Sequence, residues 1–260
     1  MRNLAALCIL LWTSVAAAHV PAEVGFEQRL GASVPLNLAF RDATGRVVAL
    51  DDYFHRRPVL LTLVYYHCPN LCSTSLTALT DAIVQSGLNV GRDLELVVLS
   101  IDPRERAAQA AKTQRTLMHQ SAGRGGIGSA HFLTGDADSI AALARAIGFR
   151  YDYDAASDEY VHPAGAVVLT RGRRVSRYLY GAPFDPSALR AAVADADASR
   201  IGAAIERVWL RCFHYDPVTG RYSAAILDTL RVFGALMLLA LAFGFRRLRR
   251  RNAAADDRSQ

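Results

Sequence analysis

The chain has 260 residues, with 30 Lys and Arg against 24 Asp and Glu, for a formal net charge of +6. Six arginines against Asp256 and Asp257 put +4 of that charge after Phe245, and Arg2 adds +1, so residues 3–245 carry only +1 and offer no basic footprint for nucleic acid. Hydrophobic residues make up 52% of the chain, both apolar ends included, and the roughly 200 residues between the ends fit one domain with a full core.

In chain order, residues 4–15 are almost wholly apolar and follow the single charge of Arg2. Ala16-Ala17-Ala18 is a small-residue stretch of the A-x-A type. This is the layout of a secretory signal peptide over residues 1–18. The apolar stretch is short for an uncleaved anchor, which needs roughly 20 residues. Residues 19–57 form a lead-in, in which 35–40 alternates as a short strand and 42–45 is a turn.

From there strands and helices alternate. Residues 59–66 are a nearly continuous apolar run, the mark of a buried strand. Residues 73–86 carry Leu76, Leu79 and Ile83 at helical spacing, and Gly87 ends that helix. Residues 94–101 are a second buried strand. Asp102-Pro103 then predicts the start of a helix, with proline in its first turn, running to about His119.

Residues 123–128 are a glycine-rich loop without the Gly-Lys-Ser/Thr ending of a phosphate loop. Residues 137–147 are a further helix, stopped by Gly148. Residues 164–170 and 175–180 read as a hairpin joined by Arg171-Gly172, and a last helix starts at Pro186. The order of elements is that of an α/β, thioredoxin-like fold over residues 19–195, with another open α/β sheet as the alternative. Residues 196–223 read as a linker.

Residues 232–245 are an unbroken apolar run of 14 residues. At 1.5 Å per residue that covers about 21 Å, against a hydrocarbon core of roughly 30 Å. A C-terminal transmembrane helix therefore has to start near Ala224 and occupy 224–245, with Asp228, Thr229 and Arg231 at the interface. The arginine-rich tail, 246–260, is then cytoplasmic by the positive-inside rule, and the domain lies outside. A core helix with a basic tail is the bland alternative.

Of four cysteines, Cys8 goes with the signal peptide, leaving Cys68, Cys72 and Cys212. An odd number in an exported protein argues for a reactive or metal-binding pair plus one further thiol. His67-Cys68-Pro69-Asn70-Leu71-Cys72 follows a buried strand and enters a helix. A helix N-terminus favours thiolate over thiol, and three intervening residues bring two helical positions to one side. Such a pair can form a disulfide or grip a soft metal. A purely structural disulfide on one turn closes little chain. Exchange needs only the pair, whereas a metal site wants a third ligand. His162, just before the predicted strand 164–170, can supply it in a thioredoxin fold; alone, it reads equally well as a loop histidine.

Four ordered blocks carry a resemblance. Tyr65-Tyr66-His67-Cys68-Pro69-Asn70-Leu71-Cys72, Ser100-Ile101-Asp102-Pro103, His131-Phe132-Leu133-Thr134-Gly135 and Tyr160-Val161-His162-Pro163-Ala164-Gly165 resemble the successive motifs of the SCO/SenC family over residues 25–195. The resemblance implies that Cys68, Cys72 and His162 bind one copper ion, as Cu(I) or Cu(II), although zinc also accepts such a set. It implies a metallochaperone that assists assembly of the binuclear copper site of cytochrome c oxidase. The partners are then the oxidase copper-site subunit, another copper chaperone and the membrane. The location implied is the bacterial inner membrane, single-pass, with the domain in the periplasm.

The chain departs from the family's common pattern at Asn70, at Ser73 and in its C-terminal anchor. The alternative function is a thiol–disulfide oxidoreductase that reduces the oxidase cysteines; a peroxidase using Cys68 ranks behind both. Cys212 and His214 read as a membrane-proximal cluster with a spare thiol rather than a second copper site. His19, His55, His119 and His131 read as surface or packing residues.

Overall fold

The computed structural model describes residues 24–35, 37–54, 56–67, 72–121, 127–181 and 183–202, with the short pieces 215–216, 221–222, 233–234 and 236–237. Its centre is a mixed seven-stranded sheet. In chain order the elements are β1 (Gly25–Phe26), β2 (Ala39–Asp42), β3 (Val47–Ala49), a 3-10 turn at Leu50–Tyr53, β4 (Val59–Val64), α1 (Cys72–Ser86), β5 (Glu95–Ser100) and α2 (Ala107–Gln120). Then follow β6 (His131–Thr134), α3 (Ala137–Ala146), β7 (Phe149–Arg150), β8 (Asp152–Asp154), β9 (Glu159–Val161), β10 (Gly165–Leu169), β11 (Val175–Tyr180) and α4 (Pro186–Asp197). Two short strands, β12 (Tyr215–Asp216) and β13 (Arg221–Tyr222), pair with each other.

The strand order is β11-β10-β4-β5-β6-β2-β3. Strands β4, β5 and β6 run parallel through the α1 and α2 crossovers, and β10 lies antiparallel to β4. The three central apolar runs are buried throughout: Val59 to Leu61, Leu96 to Leu99 and Ala166 to Leu169. A strand covered on both faces needs side chains that fill space on both, which explains why these runs do not alternate. Helix α1 packs beside α4, and α4 covers β10 and β11.

This topology gathers three chain segments at one end of the sheet. The parallel neighbours β4 and β5 finish together, with Val64 opposite Ser100 and Ile101 N–H donating to Val64 O at 2.7 Å. Strand β10 is antiparallel to β4, so it begins at that same end. The turns after β4 and β5 and the approach to β10 therefore emerge side by side.

Several expected boundaries move. Helix α2 starts at Ala107 rather than at Asp102-Pro103. The Asp102 carboxylate instead accepts from Arg104 N–H at 2.8 Å and grips its guanidinium, a local turn that competes with helix, while Glu105 turns back toward the sheet. The hairpin after β10 is longer than the expected two-residue turn. Thr170 N–H donates to Arg174 O, the register shifts by one at Leu169, and the positive φ of 63° falls on Arg173 rather than Gly172. The strand expected at 35–40 begins only at Ala39. Strand β6, not expected as a strand, is a third parallel member of the sheet.

The expected signal peptide, residues 1–18, lies outside the described residues. So does the expected transmembrane helix 224–245, apart from Phe233, Gly234, Leu236 and Met237. Among the described residues no helix is long and apolar enough to cross a membrane.

Candidate metal centre

Strand β4 delivers Tyr65, Tyr66 and His67 to the end of the sheet where the three segments meet. Tyr66 fixes this exit: its phenol donates to Leu133 O at 2.7 Å and reaches Val98 O at 3.0 Å, tying the turn to β5 and β6. Burial, and then the charge of Glu105, holds that phenol far above its ordinary pKa, so it remains a donor.

Glu105 arrives from the neighbouring turn and binds the same segment from beneath. Its Oε2 accepts Tyr66 N–H at 2.9 Å and the Ser100 hydroxyl at 2.6 Å, and its Oε1 accepts His67 N–H at 2.7 Å. The side chain is 4% exposed, which is tolerable for a carboxylate because three donors converge on it. The His67 ring points outward, 72% exposed, with Nδ1 at 3.5 Å from Glu105 Oε1.

Helix α1 then begins at Cys72, and its first turn carries free N–H groups and the positive end of the dipole. Cys68 and the side chain of Cys72 lie outside what is described, so the sulfur positions are not part of this geometry.

His162 stands on the third segment. Its ring meets the Tyr65 ring edge-on at 5.8 Å and lies 6.1 Å from Phe149, both centroid distances. Burial holds the imidazole below its usual pKa, with the Pro163 carbonyl acting weakly the other way, so the ring is neutral at pH 7. Nδ1 lies 3.1 Å from Pro163 O, an atom that only accepts. In the neutral ring the proton therefore sits on Nδ1, leaving Nε2 as the nitrogen with a lone pair. A neutral, half-buried imidazole with its second nitrogen tied to a carbonyl is the usual form of a metal-binding histidine.

The chain into His162 is the β8–β9 hairpin, in which Tyr153 faces Tyr160. Arg104 pins that hairpin. It chelates Asp102 at 2.8–3.1 Å, reaches Asp158 at 2.6 Å, and lies 5.2 Å from the Tyr153 ring centroid and 6.0 Å from that of Tyr160. Tyr160 in turn lies 5.8 Å from Tyr65, ring to ring. Adjacent residues thus hold the two sides of the candidate centre: Glu105 the exit of β4, and Arg104 the approach to His162.

Of the three expected ligands, only the side chain of His162 is described, and its ring packs against Tyr65. Among the described residues no group of three His, Cys, Asp or Glu side chains forms a metal site by itself. The donors present do fit copper, since a neutral imidazole suits both oxidation states and two thiolates suit Cu(I). His131 lies elsewhere, 3.2 Å from Glu95 and 4.5 Å from the Tyr53 ring, as a packing residue. His19, His55, Cys212 and His214 lie outside the described residues.

Glu105 and Arg104 were not among the candidates read from the sequence. The available signal was their place directly after Ser100-Ile101-Asp102-Pro103, at the end of the strand parallel to the one that feeds Cys68.

The family model described as SCO1/SenC matches residues 30–196. Solved structures share the fold. A proposed electron transfer protein from Aquifex aeolicus VF5 is 21% identical with a TM-score of 0.58, over 67% of this chain and 97% of that one. Arabidopsis thaliana ScoI, solved with copper bound, is 20% identical with a TM-score of 0.51, over 65% and 98%. A SCO1/SenC family lipoprotein from Bacillus anthracis str. Ames is 12% identical with a TM-score of 0.51, over 66% and 98%. No curated protein matches the chain.

Proposed function

The chain belongs to the SCO1/SenC family of thioredoxin-like copper-binding proteins, and we propose that it is a membrane-anchored metallochaperone that carries copper to the binuclear copper site of cytochrome c oxidase. Copper is cargo in this reading. Cys68, Cys72 and His162 hold one ion, the thiolates retaining Cu(I) and the imidazole adding a donor that Cu(II) favours. The supporting observation is the state of His162: neutral, half-buried, its tautomer set by Pro163 O, and packed on Tyr65 three residues before Cys68. A dithiol that only exchanged disulfides would have no use for that imidazole.

The domain organisation belongs to the same proposal. Residues 1–18 direct export, 19–195 form the copper-binding domain, 196–223 link it to a span at 224–245, and 246–260 stay in the cytoplasm. Phe233, Leu236 and Met237 are helical with their apolar side chains exposed, which suits lipid better than water. Anchoring confines carrier and oxidase to one surface and raises their effective concentration. Copper-loaded ScoI of Arabidopsis is consistent with the cargo, and the Bacillus lipoprotein with a membrane-held domain.

The test is copper stoichiometry of the full-length protein in detergent. One ion per chain is expected, lost in Cys68→Ser and in Cys72→Ser, weakened in His162→Ala and kept in Cys212→Ser. Loss of copper in Cys212→Ser, or full binding in the Cys68→Ser and Cys72→Ser double variant, contradicts the assignment.

A further inference from the structure

We propose that Glu105 is a positioning residue of the copper site which, without touching the metal, biases it toward Cu(II); this rests on the site reading given above. Two features set Glu105 apart. Its carboxylate binds the backbone N–H groups of Tyr66 and His67 at 2.9 and 2.7 Å, so it holds the two residues immediately before Cys68. It is also buried, with Ser100 as its third donor at 2.6 Å, and the neighbouring arginine is turned away from it toward Asp102 and Asp158. Among the described residues, Glu105 has no Arg or Lys partner.

A fixed negative charge so placed acts in two separable ways. As an acceptor it sets the path of the chain into Cys68, which serves both oxidation states of copper alike. As a charge screened little by solvent it stabilises the more highly charged ion, because Coulomb interactions in a partly buried setting reach beyond contact distance. Ser100 and Tyr66 position the carboxylate, and Arg104, occupied elsewhere, does not offset its charge; the exposed His67 ring, with Nδ1 at 3.5 Å from Oε1, is the basic group beside it.

The experiment measures dissociation constants for Cu(I) and for Cu(II) on the full-length protein in detergent, each by competition with a chelator of known affinity. In Glu105→Gln the ratio of the Cu(II) constant to the Cu(I) constant should rise about tenfold, the order expected for loss of one unit charge. In Glu105→Asp both constants should weaken together with the ratio held, since the charge stays and only the reach changes. Ser100→Ala should likewise hold the ratio. An unchanged ratio in Glu105→Gln, or a rise of the ratio in Glu105→Asp as large as that expected for Glu105→Gln, overturns the proposal. Should Glu105→Gln fail to fold, Glu105→Asp still tests the positioning role, and constants for both ions that stay unchanged there overturn it. Failure of the underlying site reading is distinguishable, because it appears in the unaltered protein as copper binding that survives loss of Cys68 and Cys72.

Discussion

The ring of His162 stands edge-on to the ring of Tyr65, 5.8 Å between centroids. Tyr65 is the residue at which β4 leaves the sheet, and His162 is the last turn before β10 enters it. The contact therefore joins the two segments that bear the proposed ligands. Aromatic pairs of this geometry contribute about 0.5–1.5 kcal/mol beyond their buried area. Tyr65→Leu should thus weaken Cu(II) binding about two- to tenfold, with a smaller effect on Cu(I), while Tyr65→Phe keeps the ring and the affinity. Equal Cu(II) affinity in Tyr65→Leu and the parent protein would show that this contact does not position His162.

The stability of the sheet edge should depend on acid in a defined direction. Burial alone would raise the pKa of Asp42, but the Thr44 hydroxyl, the Arg46 side chain and the backbone N–H groups of both residues outweigh it and bring the group from 3.8 to about 2. A carboxyl whose pKa is lower folded than unfolded adds stability above its unfolded value and loses it as pH falls toward the folded one. Asp42→Asn should lower the urea midpoint at pH 7, and the gap between variant and parent should close between about pH 4 and pH 2. A gap of constant size over that range would show that the charge of Asp42 is not what holds the β2–β3 turn.

The buried strands were legible because burial on both faces writes itself as an apolar run, and 59–64, 95–100 and 165–169 all read that way. Helix α2 was misplaced for a physical reason. Asp-Pro is an ordinary helix opening, yet here the Asp102 side chain spends its acceptors on Arg104, and the chain turns once more before Ala107. Strand β6 was too short, at four residues between His131 and Thr134, to show a period. The β10–β11 connection was read as the two residues Arg171-Gly172 and is longer, because the register shifts at Leu169 and the left-handed residue is Arg173. The place of His162 just before β10 was legible through its motif. Glu105 was not, because its role depends on the parallel pairing of β4 with β5, which no local pattern records.

The proposed topology makes its own prediction. A reporter fused after Gln260 should be active in the cytoplasm, and one inserted near Arg200 should be active only outside it, following the arginines at 246–251. Both reporters on the same side of the membrane would remove the anchor and, with it, the confinement on which the delivery step relies.

The central claim is that His162 serves copper delivery and not dithiol chemistry. The direct measurement is the copper content of purified cytochrome c oxidase from cells whose only copy of this protein carries His162→Ala, with the protein present at its normal level and its two motif cysteines still able to form a disulfide. Delivery of copper by this chain predicts an oxidase depleted of copper at its binuclear site, partly restored when copper is added to the medium. Full copper content in those cells would contradict the metallochaperone account and leave reduction of the oxidase cysteines by Cys68 and Cys72 as the function.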